Sequence, residues 1–260
     1  MMSTPVRAWG QVLETRQAAR DTFWIEVDCP QIAERARPGQ FVMLGTGLSD
    51  VAAPFLPRPF SIGSREVDGR LGFLVRVFGA GTQRLAAVAP GDDLLVLGPL
   101  GRPFTLPKNR SIVCLAGGVG LAPFLFVGAE AKREEREVRI VYGERNGDRV
   151  FDPELMRRIT GVEPDLRTED GSLGRRGLVI DDLDLGDRPQ LLACGPDPML
   201  RACADLALRH DLPLQVSVEE HMGCGVGTCQ GCVVLSSEGE WIKSCTEGPV
   251  FDARELAWRT

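Results

Sequence analysis

The 260-residue sequence lacks a long hydrophobic run, since no apolar stretch approaches the roughly 18 residues that a membrane-spanning helix requires. Its first residues, MMSTPVRAWGQVLETRQ, also lack the apolar centre of a secretory signal peptide. We therefore expect no membrane association and a cytoplasmic location.

An excess of positive charge is missing as well. The chain has 30 Lys and Arg residues against 36 Asp and Glu, which gives a formal net charge of -6 and a pI near 5.2. Nucleic acids and anionic membranes bind to basic surfaces, so neither is an expected partner. The composition, 43% hydrophobic and 25% charged, is typical of a globular protein. The length allows two domains plus an appendage.

Disulfide bonds are also not expected, although the chain has eight cysteines. In a reducing compartment, clustered cysteines are more often metal ligands or catalytic groups. Cys29, Cys114 and Cys203 are scattered, and we interpret them as small buried hydrophobic residues. A second group, with the spacing C-x4-C-x2-C-x12-C, comprises Cys224, Cys229, Cys232 and Cys245. This spacing indicates a ligand-binding segment.

The first hundred residues have the pattern of β structure. Short apolar or alternating runs such as FWIEV, QFVML, GFLVRVF and DDLLVLG are separated by the turn signals RPGQ, VDGR and APGDD. Many short strands at this spacing predict a small barrel.

The pattern changes from about Ser111. SIVCLAGGVGLAPFLFVGAEAKREE reads as a strand, a glycine turn and a helix, and EVRIVYGER reads as a further buried strand. PQLLACGPDPMLRACADLALRH repeats the order of strand, turn and helix. Strands that alternate with helices predict a parallel sheet.

The glycine turn of this second half has two interpretations. Gly117, Gly118 and Gly120 follow an apolar strand, so the backbone could approach a pyrophosphate at the N-terminus of the next helix. GGVG lacks the G-x-G-x-x-G spacing of the usual dinucleotide motif, so a tight structural turn alone is the alternative.

Two segments of the first half could bind a phosphate or a ring. RPFS (58–61) places a cation and a hydroxyl on one predicted strand, and LVRVFGAGT (74–82) adds a second arginine and a glycine pair. Arginine binds phosphate in a bidentate manner, and glycine allows close approach of the backbone. Ordinary strand and turn is the alternative for each segment alone.

The order RPFS, GAGT, LAGGVGLAP and CGPDPML resembles the ferredoxin reductase family, in which a flavin-binding antiparallel barrel precedes a nicotinamide-binding parallel-sheet domain. This resemblance covers nearly the whole chain. It implies FAD at the first two motifs and the nicotinamide dinucleotide at the last two. The residues implied for FAD are Arg58, Pro59, Phe60, Ser61, Leu74, Val75, Arg76, Gly81 and Thr82. Those implied for NAD are Gly117, Gly118, Gly120, Glu144, Cys194, Gly195 and Pro196.

Two of these residues carry specific expectations. Glu144 follows the strand VRIVYG, where this architecture reads the adenosine ribose, but Arg145 comes next. A carboxylate favours NADH and an arginine favours NADPH, so these two residues alone do not decide between the dinucleotides. The family resemblance favours NADH. Cys194 need not be a nucleophile, because hydride transfer to a flavin requires none; we expect it to pack against or orient the nicotinamide ring.

The C-terminal segment resembles that of the electron-transfer subunits of NAD-dependent dihydroorotate dehydrogenases, in which four cysteines hold a 2Fe-2S cluster. The C-x4-C-x2-C opening is also the plant-type ferredoxin spacing. Gly225, Gly227 and Gly231 would allow the backbone to direct N–H groups at the sulfurs. Four thiolates could instead bind structural zinc, although zinc ribbons usually have two C-x2-C pairs. His221 is interpreted as a surface or hydrogen-bonding residue.

The resulting prediction has three parts: an FAD-binding barrel (1–103), an NAD-binding α/β domain (104–215) and a 2Fe-2S segment (216–260). A flavin belongs between a two-electron and a one-electron carrier, so no catalytic acid or base is assigned. The resemblance implies a subunit that transfers electrons between NAD and a catalytic, FMN-containing dihydroorotate dehydrogenase subunit in pyrimidine biosynthesis, within a heterotetramer. The alternatives are the small subunit of an NAD(P)H:ferredoxin or glutamate-synthase-like oxidoreductase and, more remotely, a zinc-stabilised interaction module.

Overall fold

The computed structural model describes residues 4–46 and 56–258. Its strands are β1 (Val6–Ala19), β2 (Thr22–Asp28), β3 (Phe41–Gly45), β4 (Arg58–Arg65), β5 (Arg70–Arg76), β6 (Asp93–Leu100), β7 (Ile112–Gly117), β8 (Val138–Glu144), β9 (Asp165–Thr168), β10 (Arg175–Arg176), β11 (Gln190–Cys194), β12 (Leu214–Ser217), β13 (Val233–Leu235), β14 (Trp241–Lys243) and β15 (Val250–Asp252). Its α-helices are α1 (Pro30–Ala33), α2 (Ala80–Ala86), α3 (Ala122–Arg133), α4 (Pro153–Thr160) and α5 (Asp197–Arg209). Short 3-10 turns cover Gly118–Leu121, Gly147–Arg149 and Ala253–Glu255.

The first six strands close into a barrel with the order β1-β2-β5-β4-β3-β6, and every neighbouring pair in it is antiparallel. Alternating side chains point inward, as the period of two in a strand requires. Ile25, Val42, Phe73 and Val96 lie fully buried in the barrel core. The predicted antiparallel barrel is confirmed.

The second unit is a seven-stranded sheet with the order β10-β9-β8-β7-β11-β12-β15, in which only β15 runs antiparallel to its neighbour. Successive residues of β7 face opposite sides of the sheet. Cys114 packs in the cluster that contains α3 and α4, whereas Val113 and Leu115 pack in the cluster that contains α5. Helices therefore cover both faces, which explains why these strands read as continuous apolar runs.

The C-terminal segment is attached to both units. Its strand β15 extends the sheet by pairing with β12, and β13 and β14 form a separate hairpin. Cys232 and Cys245 pack against Met43 of β3 and Leu100 of β6. The fold class is as predicted. The predicted domain boundary at residue 215 falls inside β12 (Leu214–Ser217), and the three-part division stays a prediction.

Within the two described ranges, no helix combines the length and the apolar character needed to cross a bilayer.

Candidate functional site

The four cysteines of the C-terminal segment lie in two pairs. The thiols of Cys224 and Cys229 are hydrogen-bond neighbours, and so are those of Cys232 and Cys245. Cys229 is exposed and Cys224 is half-buried, whereas Cys232 and Cys245 are each only 1% exposed. One pair therefore faces outward and the other faces the barrel.

Backbone N–H groups point at a sulfur of each pair. The amides of Val226 and Cys229 each donate to the Cys224 sulfur at 3.4 Å, and the Gly227 amide donates to the Cys245 sulfur. Burial opposes ionisation of Cys224, but these N–H donors outweigh it and lower the pKa of its thiol to about 7. Gly225, with φ of 72°, makes the turn possible, and a β-carbon there would lie 2.7 Å from the Met43 side chain.

The paired arrangement of the thiols bears on which metal group the segment could hold. In the part of the chain that the structure describes, no three His, Cys, Asp or Glu side chains lie around one point that could hold a metal ion. Structural zinc needs four ligands in a tetrahedron around one centre, whereas a 2Fe-2S cluster takes two ligands on each of two irons. Two thiol pairs with amides directed at the sulfurs fit a 2Fe-2S cluster.

The cysteine loop lies close to the first predicted flavin motif. Met43 of β3 packs with Cys232 and Cys245, and the same residue pairs with Pro59 of β4 in the barrel. Strand β4 begins with the RPFS motif, whose residues 58–61 are half-buried while residues 62–64 are buried. One strand of the barrel therefore separates the motif from the cysteine loop.

The side chains of the flavin motifs have distinct environments. A β-carbon at Gly81 would overlap the Arg58 guanidinium, so the two motifs meet directly and the glycine is needed for this approach. The Thr82 hydroxyl accepts hydrogen bonds from the Phe78 and Gly79 amides at 2.8 and 3.1 Å, which fixes the turn before α2. Leu74 and Val75, by contrast, are buried in the two hydrophobic cores.

A cleft of about 840 Å³ lies between the barrel and the carboxyl ends of the sheet strands. Of the residues predicted from sequence, it is lined by Arg76, Gly117, Gly118, Glu144 and Pro196. This is the edge at which open parallel sheets bind their ligands.

Three other predicted residues lie beneath the surface of the cleft. A β-carbon at Gly120 would overlap the Cys194 carbonyl group, and one at Gly195 would lie 3.0 Å from the Gly117 α-carbon. These glycines let the turns after β7 and β11 touch beneath the cleft.

An ion pair joins the barrel to the sheet inside the cleft. Arg76 of β5 pairs with Glu144 of β8, and their side chains are 9% and 4% exposed. The Arg76 Nε also donates to the Thr22 hydroxyl at 3.1 Å, and the Tyr142 hydroxyl donates to Glu144 at 3.3 Å. The sequence assigned Arg76 to FAD and Glu144 to NAD, and the structure holds the two side chains together.

Sequence reasoning missed several charged residues of the cleft. Arg145, although considered, received no assignment, and Arg149, Glu169 and Glu219 were not singled out, yet all four line it. Glu219 is exposed to solvent within the cleft, although many protein atoms lie around its carboxyl group. This crowding raises the pKa of its carboxyl group, and the charge of Arg76 partly offsets the effect. Its place just after β12, at the carboxyl edge of the sheet, is the signal that could have identified it.

Cys194 is completely buried. Burial raises the pKa of its thiol well above the usual range, the Glu219 charge adds to this, and a hydrogen bond with Ser217 opposes it. A thiol held neutral in this way is a poor nucleophile. This environment is consistent with the expected packing role.

Two family models match the chain. Residues 219–257 match the "iron-sulfur cluster binding domain of dihydroorotate dehydrogenase B". Residues 114–205 match the "oxidoreductase NAD-binding domain".

Similar proteins cover nearly the full length. The electron transfer subunit of dihydroorotate dehydrogenase B (NAD+) from Desulforamulus reducens is 37% identical over 258 residues, which is 95% of this chain and 97% of the relative. The probable subunit of the same name from Methanopyrus kandleri is 34% identical and covers 95% of this chain and 90% of its own length.

Solved structures with the same fold were also found. A chain of the NADH-dependent reduced ferredoxin-NADP oxidoreductase, described in a study of flavin-based electron bifurcation, superimposes with a TM-score of 0.83 at 27% identity, over 99% of this chain and 92% of that one. The ferredoxin reductase of carbazole 1,9a-dioxygenase has a TM-score of 0.69 at 20% identity, over 82% of this chain and 69% of that one, which shows the fold alone.

Proposed function

The chain belongs to the family of electron transfer subunits of dihydroorotate dehydrogenase B (NAD+), and we propose that it carries electrons between NAD and a catalytic dihydroorotate dehydrogenase subunit in pyrimidine biosynthesis. One observation supports this relay most strongly. The cysteine loop packs on a barrel strand next to the flavin motif, and the dinucleotide cleft opens between the same barrel and the sheet.

The three groups differ in the number of electrons that they exchange. A nicotinamide carries two as a hydride and a 2Fe-2S cluster carries one, and a flavin, which exchanges either, connects them. The protein's own residues are left with binding and orientation.

We assign FAD to the two barrel motifs, with Arg58 as the main contact for its pyrophosphate. The half-buried side chains of residues 58–61 and the approach of Gly81 to Arg58 support this assignment. Ser61 would contact the flavin ring. Leu74 and Val75, whose side chains are in the cores, would contribute through their backbone, and Thr82 would shape the turn.

We assign the nicotinamide dinucleotide to the cleft, where Gly117, Gly118 and Pro196 would contact it. Glu144 keeps one carboxylate oxygen, Oε2, that does not bond to Arg76, and this oxygen remains our candidate for the ribose hydroxyl. The 2Fe-2S ligands are assigned to the two thiol pairs described above.

The partner in this proposal is a catalytic subunit with its own FMN, in an assembly with two copies of each chain. The outward pair of cysteines and the exposed Val226 beside it place one side of the cluster loop at the surface. Electron tunnelling requires short distances, so we place the interface on this side. The cytoplasm is the proposed location, because clustered free thiols persist in a reducing compartment.

The test mixes the purified chain with the purified catalytic subunit under anaerobic conditions, together with dihydroorotate and NAD. We expect NADH to form only when both proteins are present, and not when the chain carries Cys229→Ser. Oxidation of dihydroorotate by this chain alone would contradict the proposal, as would NADH formation that the Cys229→Ser variant leaves unchanged.

A second candidate function is a subunit of an NAD(P)H:ferredoxin oxidoreductase. The similarity to a chain of the reduced ferredoxin-NADP oxidoreductase, at 27% identity over 99% of this chain, favours it. Efficient reduction of ferredoxin by this chain with NADPH, at a higher kcat/KM than with NADH, together with no coupling to the dihydroorotate subunit, would support this second function over the first.

A further inference from the structure

Two buried hydroxyl groups flank the cluster ligand Cys245 and have no hydrogen-bond partner. Among the described residues, only five buried side-chain polar atoms lack a partner, and two of them are the Ser244 and Thr246 hydroxyls. Ser244 is completely buried. Buried hydroxyls are nearly always hydrogen-bonded in folded proteins, so a pair of unpartnered ones on either side of a ligand requires an explanation.

The local fold does not need these hydroxyls. The Ser244 amide donates to the Cys232 carbonyl at 2.9 Å, and the Thr246 amide donates to the Lys243 carbonyl at 3.2 Å. The Glu247 amide also donates to the Lys243 carbonyl at 2.8 Å. Backbone hydrogen bonds therefore hold the turn that carries Cys245, and its geometry does not account for a serine and a threonine at these positions.

Thr246 also contacts the other side of the cluster segment. A β-carbon at Gly227 would lie 3.0 Å from the Thr246 methyl group and 3.6 Å from its hydroxyl oxygen. The Gly227 amide is the group that donates to the Cys245 sulfur. The Thr246 hydroxyl therefore lies beside a backbone donor that already points at a ligand sulfur.

We propose that the Ser244 and Thr246 hydroxyls donate hydrogen bonds to sulfur atoms of the bound 2Fe-2S cluster and raise its reduction potential. This inference rests on the proposed function, because it requires the cluster. A hydroxyl can donate one hydrogen bond, and sulfur atoms at a cluster accept them. Such bonds stabilise the reduced state, which carries more negative charge, and hydrogen bonds to the sulfurs are among the factors that set cluster potentials.

These two residues would thus adjust the transfer of electrons without touching NAD or the partner's substrate. Both residues flank Cys245, a member of the inward thiol pair, so we expect their hydrogen bonds at sulfurs on that side of the segment.

The test measures the midpoint potential of the cluster in the purified holoprotein by redox titration with paramagnetic resonance. The variants are Ser244→Ala and Thr246→Val, with Ser244→Thr and Thr246→Ser as the counterparts that keep the hydroxyl. Thr15→Val is the matched control, because the Thr15 hydroxyl is also buried without a partner but belongs to the barrel strand β1. Resonance Raman spectra in heavy water report on hydrogen bonds to the sulfurs.

We expect Ser244→Ala and Thr246→Val to shift the potential to more negative values and to reduce the deuterium shift of the iron–sulfur stretching bands. The hydroxyl-keeping variants and Thr15→Val should resemble the unmodified protein. Unchanged potentials and deuterium shifts in Ser244→Ala and Thr246→Val would overturn the proposal.

Loss of the cluster in one of these variants is also informative. If the hydroxyl-keeping counterpart retains the cluster at the normal potential, loss of the cluster in the other variant supports the proposal. Loss of the cluster in the counterpart as well contradicts the proposal. The absence of iron from the unmodified protein would instead contradict the proposed function, so the two failures are distinguishable.

Discussion

The cluster loop and the dinucleotide cleft are built in opposite ways. The loop takes all four thiols from a single stretch, residues 224–245, and presents them with backbone amides. The cleft is assembled from turns that follow β7, β8, β11 and β12, together with the end of barrel strand β5, so its parts are far apart in sequence. We expect the cluster loop to lose its ligand when a single cysteine is replaced. The cleft should instead lose affinity gradually as single contacts are removed.

The largest expected effect is at the loop. Replacing the exposed proposed ligand in Cys229→Ala should abolish the visible absorption of the cluster and its paramagnetic signal, because three thiolates do not complete a four-thiolate site. FAD should remain bound, since its proposed contacts are in the barrel. Iron content, the visible spectrum and flavin release measure these outcomes.

Cys203→Ala is the matched control for this change. Cys203 is fully buried in α5, and burial raises the pKa of its thiol to about 12, so it has the character of a packing residue. This variant should keep its iron. Equal loss of iron in Cys229→Ala and Cys203→Ala would contradict the division of the cysteines into cluster ligands and packing residues.

The ion pair that closes the cleft should give the next largest effect. Glu144→Gln removes the carboxylate that pairs directly with the nearly buried Arg76 guanidinium, and breaking a buried pair in this way costs about 3–5 kcal/mol. The midpoint of urea unfolding should fall accordingly. The double variant Arg76→Met with Glu144→Gln should recover much of the loss, because the buried arginine charge is removed together with its paired carboxylate. A double variant less stable than Glu144→Gln alone would contradict this account of the pair.

A smaller effect is expected where the cleft depends on backbone contact. Gly120→Ala would place a methyl group against the Cys194 carbonyl, and such overpacking costs about 1–3 kcal/mol. The displaced turn should also weaken NADH binding by about tenfold, which corresponds to about 1.4 kcal/mol. Gly186→Ala is the control, since its β-carbon would meet only the exposed Asp184 carboxylate, at 3.3 Å. Titration of flavin reduction with NADH compares the two variants, and equal affinities would contradict the contact.

The smallest expected effect is the pH dependence at Glu219. Because the pKa of this carboxyl is raised in the folded protein above its ordinary value of 4.5, the folded state binds the proton more tightly. Its contribution to stability is therefore present at acid pH and is lost as the pH rises through the folded-state pKa. Glu219→Gln should reduce the loss of stability between about pH 4.5 and neutrality, as measured by urea midpoints at several pH values. A steeper loss in the variant would contradict the direction of this pKa shift.

The same contrast explains what the sequence could predict. The cysteine spacing identified the cluster segment because a thiolate is itself the ligand, and strand patterns with glycine turns identified the barrel and the sheet. The pairing of Arg76 with Glu144 depends on how two units separated by many residues pack together, which no local pattern contains. Glu219 was missed because its position after β12 becomes a signal only once the carboxyl edge of the sheet is known, and no local spacing shows that edge.

The most direct test of the relay is an anaerobic titration of the purified chain with NADH, monitored by both visible absorption and paramagnetic resonance. We predict that the flavin is bleached and that the signal of the reduced 2Fe-2S cluster appears in the same protein, without any partner subunit. Bleaching of the flavin while the cluster stays oxidised at excess NADH would contradict the claim that electrons pass from the cleft to the cysteine loop.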